Sequence, residues 1–388
     1  MKLELYLKTP GCADGTYCIR AKGCMAATLY WANSQGALPG WTPFAYVPVA
    51  PNGVGEFRFT GHRAVPREAT HVLSRGVRPD LSTVEETLEP LPTWTPPETG
   101  VNGLRLAVIT DLHLSSKPGT VRKALCMAGE SDVVLCAGDM VNDGLPEQFI
   151  LFREAVEQTL SGTPLLAVAG NHDYPLNSKM AECYPVMQRW LLGRAADMGL
   201  ACETDDSGAY AVNFRGVDII GLNVAGPGRK LAFQKEGQLP WLERHLEESQ
   251  VPWHIILCHT PLISHNPQRE AGDTVYFSRD EHLQEIVDKH KNIIFLSGHT
   301  HVSFNCLKGC VDEDRSRNNL YINCGSIRPT TLKPEESLQP KDWTDGNFVR
   351  LELTEKQIEV TAISLASGQR ISRGHYRFCK EEEMSDEI

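Results

Sequence analysis

The stretch Leu104-Arg105-Leu106-Ala107-Val108-Ile109-Thr110-Asp111-Leu112-His113 decides how the chain is read. An apolar run of strand length ends abruptly on a carboxylate and an imidazole. The chain leaves a buried strand there and delivers both groups to the same side. Four later stretches repeat the arrangement. Val133-Val134-Leu135-Cys136 leads into Gly138-Asp139, Leu165 to Val168 into Gly170-Asn171-His172-Asp173, His254 to Leu257 into Cys258-His259, and Ile293 to Leu296 into Gly298-His299-Thr300-His301. In an open α/β sheet, ligands bind outside the carboxyl ends of the strands. The five polar clusters fall on that side.

Stretches of helical character lie around 119–129, 146–160, 178–193, 235–249 and 280–290, which gives a βαβ-type core. Further strands are expected at Tyr210 to Phe214, Val217 to Leu222, Leu320 to Asn323, Phe348 to Leu353 and Ile358 to Ser364. That count suits an α/β fold built as a two-sheet sandwich flanked by helices. Residues 1 to about 90 read differently. Thr28-Leu29-Tyr30-Trp31, Phe44-Ala45-Tyr46-Val47, Gly55-Glu56-Phe57-Arg58-Phe59 and His71-Val72-Leu73-Ser74 are short, rich in β-branched or aromatic residues, and separated by Gly, Pro and Asn turns. They predict a small all-β sandwich of immunoglobulin or fibronectin type. Pro90, Pro92, Pro96 and Pro97 mark a semi-extended linker. The expected division is a β-sandwich domain with its linker at 1–98, the main α/β domain at 99–378, and an acidic tail at 379–388 too poor in apolar residues to pack.

With 388 residues, 41% of them apolar, the chain has material for one large domain and a smaller one. A net charge of -11 argues against a general nucleic-acid binder, which needs clustered Lys and Arg. A small phosphate-bearing substrate remains compatible, because metal charge at a site outweighs the global field. No window reaches membrane-spanning length, and Met1 to Pro10 does not read as an export signal. The 12 cysteines follow no regular framework, so reduced thiols in a cytoplasmic protein are expected. Neither Cys12, Cys18 and Cys24 nor Cys306 and Cys310 have the matching partners of a structural zinc site.

Singly, these motifs are weak. An Asp and a His two residues apart are most often loop residues, and Gly-Asp is a common turn. Gly170-Asn171-His172-Asp173 is more specific, since it supplies a neutral oxygen, an imidazole and a carboxylate able to orient that imidazole. Paired imidazoles at alternate positions, His299 and His301, seldom have a packing reason. Together, five polar clusters at strand ends carry a large desolvation cost unless a cation or hydrogen bonds compensate them. Asp, Asn and His suit divalent metals such as Mn, Fe and Zn. A polynuclear metal centre is the expectation.

The ordered set D-x-H, G-D, G-N-H-D, H, G-H-x-H resembles the calcineurin-like metallophosphoesterase superfamily over roughly residues 103 to 365, with every motif position filled. Ala137-Gly138-Asp139-Met140-Val141-Asn142-Asp143-Gly144 and His259-Thr260-Pro261-Leu262 are most similar to the bacterial branch that includes class III cyclic-nucleotide phosphodiesterases. The resemblance implies a metallophosphoesterase-type fold and a cofactor of two divalent or mixed-valence metal ions, Mn, Fe or Zn. One ion would be held by Asp111, His113, Asp139 and His301. The other would be held by Asp139, Asn171, His259 and His299, with Asp139 bridging. His172 would contact the substrate phosphate or leaving group rather than a metal, with Asp173 as its orienting partner.

The activity implied is hydrolysis of a phosphoester bond by in-line attack of a metal-bridging hydroxide, with His172 as general acid. The expected partner is a small phosphorylated substrate, a phosphomonoester or small phosphodiester, and a homodimer is left open. The alternative is a non-catalytic scaffold of the same fold that binds a protein; it predicts eroded ligands, and here they are intact. Asn142, Asp143, His265, Asn266, Ser326 and Arg328 are candidates for the surroundings of the substrate.

Overall fold

Side chains alternate along a strand, and this explains why the main strands are apolar throughout. Leu104, Leu106 and Val108 enter one buried cluster, while their neighbours Ala107 and Ile109 enter another, so both faces of the strand are covered. The computed structural model describes residues 4–7, 15–21, 23–38, 45–51, 53–59, 71–90, 103–160, 162–175, 182–225, 232–233, 237–267, 281–304, 310–328 and 346–380. They fall into two units, Met1–Pro96 and Pro97–Ile388. The proline-rich linker, most of the acidic tail, Trp41 and Phe44 lie outside the described residues.

The first unit contains β1 (Glu4–Leu7), β2 (Gly15–Arg20), β3 (Ala26–Asn33), β4 (Gly36–Ala37), β5 (Ala45–Pro48), β6 (Val54–Phe59), β7 (His71–Val77) and β8 (Thr83–Pro90). β1, β2 and β6 form one antiparallel sheet; β4, β3, β7 and β8 form another, with β5 also on β3. Ile19, Leu29, Trp31, Val47 and Val72 share its core.

The second unit begins with β9 (Leu104–Ile109), α1 (Gly119–Ala128), β10 (Val133–Cys136), α2 (Pro146–Thr159), β11 (Leu165–Ala167) and α3 (Tyr184–Asp197). Next come β12 (Cys202–Thr204), β13 (Tyr210–Phe214), β14 (Val217–Leu222), β15 (Val224–Ala225), β16 (Ala232–Phe233), α4 (Gln238–Glu248), β17 (Trp253–Cys258) and α5 (Glu281–Lys289). It closes with β18 (Ile293–Ser297), β19 (Val311–Asp314), β20 (Asn319–Asn323), β21 (Asn347–Leu353), β22 (Gln357–Ser364) and β23 (Arg370–Cys379).

Two sheets result, ordered β11-β10-β9-β21-β22-β23 and β12-β13-β14-β17-β18-β20-β19. In the first, β11, β10 and β9 are parallel and β21, β22 and β23 continue the sheet antiparallel; in the second, the central β14, β17, β18 and β20 are parallel and the flanks antiparallel. Leu106, Val108, Leu135, Ile219, Ile255 and Leu296 belong to the core shared by the two sheets. The opposite face of the first sheet packs under α1, α2 and α3, and that of the second under α4 and α5. Helix α1 shows why: Val121, Ala124, Leu125 and Ala128 follow helical spacing and are its buried residues. Among the described residues no helix is long and apolar enough to cross a membrane.

Helix α3 differs from the sequence expectation of 178–193. It begins at Tyr184 with Pro185 in its first turn, the part of a helix where the missing N–H and fixed φ are tolerated. Strands β12, β19 and β23 were not anticipated. Asp312, Glu313 and Asp314 give β19 little strand character of its own, and its place is set by antiparallel pairing with β20.

Candidate metal centre

The loop leaving β9 is tied to that leaving β10, and the loop leaving β17 to that leaving β18, by backbone hydrogen bonds. Asp111 N donates to Gly138 O (3.1 Å), His113 N to Asp139 O (2.9 Å), and Gly298 N to His259 O (2.9 Å). The loops also carry unusual backbone. Asp111, His113, Asp139, His299 and His301 have φ of 52°, 43°, 53°, 67° and 55°, five of the nine non-glycine residues with positive φ among those described. Such conformations cost on the order of 1–3 kcal/mol each and persist where the surroundings over-determine them. Gly170 and Gly298 allow the loops to approach: a Cβ at Gly170 would strike Asp139 Oδ1, and one at Gly298 would strike Thr110 Oγ1 and Asp111 Oδ2.

Both aspartates commit one oxygen to the scaffold and turn the other to the centre. Asp111 Oδ2 accepts from Thr110 Oγ1 (2.7 Å) and His299 N (2.9 Å), while Oδ1 lies 3.0 Å from His301 Nε2. Asp139 Oδ1 accepts from His172 N (2.8 Å), while Oδ2 lies 3.5 Å from His113 Nε2 and 3.4 Å from His259 Nε2. The His259 ring donates Nδ1–H to Ala137 O (2.7 Å), which directs Nε2 inward, 3.2 Å from Asn171 Oδ1 and 3.2 Å from His299 Nδ1. His113 Nε2 and His301 Nε2 stand 3.0 Å apart.

These spacings fit a metal. Donors disposed tetrahedrally about 2.0–2.1 Å from a common point sit roughly 3.3 Å from each other, the size of the contacts around His259 Nε2. Imidazole nitrogens facing at such separations repel unless a proton or cation stands between them. Three groups each bring their ligand atoms within 4.8 Å: Asp111 with His113 and His301; His113 with Asp139 and His172; and Asp111 with Asp139 and His259. A set of carboxylate oxygens and imidazole nitrogens suits Mn, Fe or Zn.

Charge is arranged in the same sense. Burial raises the Asp111 carboxyl, but His301 and His259 outweigh it and leave the pKa at about 2. At Asp139 burial is likewise outweighed, by His259 and His113, so the carboxyl stays well below its usual range. Burial dominates at His113 and His299, lowering them to about 4 and about 3, so both rings are neutral at pH 7. It acts on His259 too, yet Asp139 and Asp111 overcome it and raise that ring to about 9. His301 is also raised, burial being overcome by Asp111. The two carboxylates raise the proton affinity of His259 and His301 against burial, so positive charge is favoured beside them, and a bound cation would take the place of those protons.

The structure brings the seven expected ligand residues and His172 together. Asp173 is placed otherwise than expected. Its carboxylate accepts from Val141 N (3.0 Å) and Gly170 N (2.8 Å), and burial, then the charge of Asp139, push its pKa to about 8. The partner of His172 Nδ1 is Asn142 O at 2.7 Å. Adjacent residues in the 3-10 turn Asn171–Asp173 point apart, so Asp173 braces the loop while a backbone carbonyl orients the imidazole.

Asp143 and Gln148 form a reciprocal pair at the start of α2. His265 lies 2.9 Å from Asp312 Oδ2 on β19 and stacks on Tyr321 of β20 at 3.4 Å, a packing role. Thr110 and Asn323 were not singled out from the sequence. Asn323 binds Gly298 O (2.7 Å) and Thr300 Oγ1 (2.6 Å), bracing the loop of His299 and His301; the available signal was a polar residue at a buried strand end. Cys24 and Cys310 are buried free thiols, while Cys12 and Cys306 lie outside the described residues.

Similarity to known proteins agrees with the class of enzyme this centre suits, a metal-dependent phosphoesterase. The calcineurin-like phosphoesterase family model matches residues 104–303, more than half of the chain, and the chain belongs to that family. It is 29% identical over 214 residues to a probable cyclic nucleotide phosphodiesterase of a Synechococcus strain, covering 52% of this chain and 74% of that one. It is 25% identical over 209 residues to a probable glycerophosphodiester phosphodiesterase of Arcobacter nitrofigilis, covering 50% and 70%. In fold it is similar to a purple acid phosphatase from yellow lupin (Lupinus luteus) seeds, with a TM-score of 0.54 at 13% identity, over 97% of this chain and 74% of that one.

Proposed function

We propose that the protein hydrolyses phosphoester bonds with two metal ions, one held by Asp111, His113, Asp139 and His301 and the other by Asp139, Asn171, His259 and His299. The observation that carries this reading is Asp139 Oδ2, which faces His113 Nε2 at 3.5 Å and His259 Nε2 at 3.4 Å and so stands between two donor groups. Bound there, divalent ions supply Lewis-acid polarisation of the phosphoryl group and a water acidic enough to deprotonate near neutral pH.

The chain's own residues do the rest. Asp111 and Asp139 offset only part of the charge of two divalent ions, which keeps the site attractive to phosphate oxygens. His172 is the proton donor to the departing alkoxide. Its Nδ1–H is committed to Asn142 O, which leaves Nε2 as the ring position free to deliver a proton, and it does so from the doubly protonated ring. Its ring meets His113 edge-on at 4.6 Å between centroids, beside the ligand set.

The substrate is a phosphomonoester or small phosphodiester. The two phosphodiesterase relatives support a diester, and the net charge of -11 weighs against nucleic acid. Free thiols at the described cysteines suit a cytoplasmic setting. The first unit we read as an all-β module of immunoglobulin or fibronectin type, on the strength of its antiparallel sheets. A panel of an aryl monoester, an aryl diester and cyclic nucleotides, given to the Mn-loaded protein, tests the reading. Diester turnover is expected; monoester turnover alone would remove the cyclic-nucleotide substrates, and no turnover with any metal would sink the enzyme and favour the scaffold.

A further inference from the structure

The segment after β20 is stitched to the first metal-binding loop residue by residue. Ser326 Oγ donates to Asp111 O (3.3 Å), Ile327 N donates to Thr110 O (3.0 Å), and Arg328 Nη2 donates to His113 O (3.0 Å). Arg328 N also donates to Ser326 Oγ (3.0 Å), which fixes the turn. The Arg328 side chain thus leaves a braced backbone, is exposed to solvent, and is anchored through one of its five N–H groups.

Two features make this arginine more than a surface charge. Its anchor is a neutral carbonyl, so among the described residues no carboxylate is hydrogen-bonded to the guanidinium, which stands beside the candidate ligand His113. It also shares its surroundings with the proton donor. The His172 ring meets the His113 ring, and Asp143 lies close enough for both His172 and Arg328 to act on its carboxyl. That carboxylate is engaged elsewhere, with Oδ1 accepting from Asn142 Nδ2 (3.0 Å) and Oδ2 from Gln148 Nε2 (2.7 Å). A planar guanidinium with donors that make no other side-chain hydrogen bond among the described residues, next to a site proposed to attract phosphate, matches an oxyanion geometrically.

We propose that Arg328 is a substrate-binding residue whose guanidinium hydrogen-bonds a non-bridging oxygen of the phosphoryl group under attack. This rests on the reading of the centre as a phosphoester hydrolase. Charge on those oxygens is present in the bound substrate and in the transition state, so the contact serves KM at least as much as kcat.

The test compares Mn-loaded wild type, Arg328→Lys and Arg328→Met, with inorganic phosphate as the probe in calorimetry, KM and kcat on an aryl diester, and metal content by elemental analysis. We expect phosphate affinity to fall roughly tenfold to a hundredfold in Arg328→Met, the scale of a charged hydrogen bond. KM should rise in step, metal content should hold, and Arg328→Lys should recover part of the loss. Unchanged phosphate affinity and KM in both variants, with wild type active, would overturn the contact and leave the hydrolase reading intact. Loss of metal together with affinity would also overturn it, reducing Arg328 to a brace for His113. A wild type that neither binds phosphate nor turns over substrate would overturn both readings.

Discussion

Asp139 is the residue on which the proposed centre turns, because its Oδ2 stands 3.5 Å from His113 Nε2 and 3.4 Å from His259 Nε2 while a backbone N–H holds its second oxygen. Asp139→Asn keeps the shape and removes the charge. We expect metal content, read by elemental analysis, to fall from about two ions per chain to one or fewer; an unchanged content would argue against the bridge. His172→Ala should behave in the opposite way. Metal stays, and turnover on esters with poor leaving groups drops by roughly 10²–10⁴-fold, the usual worth of a general acid. Full activity on such esters would remove His172 from the chemistry. Gly298→Ala places a methyl against Thr110 and Asp111, which should cost about 1–3 kcal/mol by overpacking and weaken metal retention; thermal unfolding and elemental analysis report both. The candidate ligand side chains were legible because each ends an apolar run on a residue type that has no business there uncompensated. Their supports were not. Asp173 follows His172 in sequence yet bonds Val141 and Gly170, and the group that orients His172 is a backbone carbonyl of Asn142, which has no signature in a side-chain pattern.

The central strands were readable because burial on both faces demands apolar runs, as in β9, β10, β17 and β18. Edge strands such as β19 are placed by their neighbours, and α3 by a proline that fits only its first turn. Elements also carry charge away from the centre. Asp218, near the start of β14, has Oδ2 3.4 Å from His245 Nε2 on α4 and 3.6 Å from His254 Nδ1 on β17. Burial raises Asp218, but the neighbouring His245 and His254 rings and the hydrogen bond from Ser249 outweigh it and hold the carboxyl well below its usual range. The Asp218 carboxylate beside it, working against burial, raises His245. A depressed carboxyl stabilises the fold above its unfolded pKa of about 3.9 and loses that contribution as pH falls; a raised imidazole stabilises it below about 6.5 and loses that contribution as pH rises through its folded value. The cluster is therefore strongest between about pH 4 and pH 6.5. Asp218→Asn should cost on the order of 3 kcal/mol in that window and less in alkaline solution, as read by urea denaturation. An equal cost at every pH would show that charge is not what the cluster contributes.

The two units each bury their own apolar cluster, around Ile19, Leu29 and Trp31 in one and around Leu106, Ile219 and Ile255 in the other. Residues 97–388 expressed alone should therefore unfold cooperatively and retain metal. Loss of metal in that fragment would show that the larger unit depends on the smaller. The whole chain is acidic, with a net charge of -11, so affinity for phosphate would have to come from the local charge of metal ions at the proposed centre. Turnover of an aryl diester measured against added metal, starting from the chelator-stripped protein, puts this account at risk most directly. Activity should rise until about two equivalents of metal are bound per chain and then level off. Saturation at one equivalent, or activity with none, would contradict it.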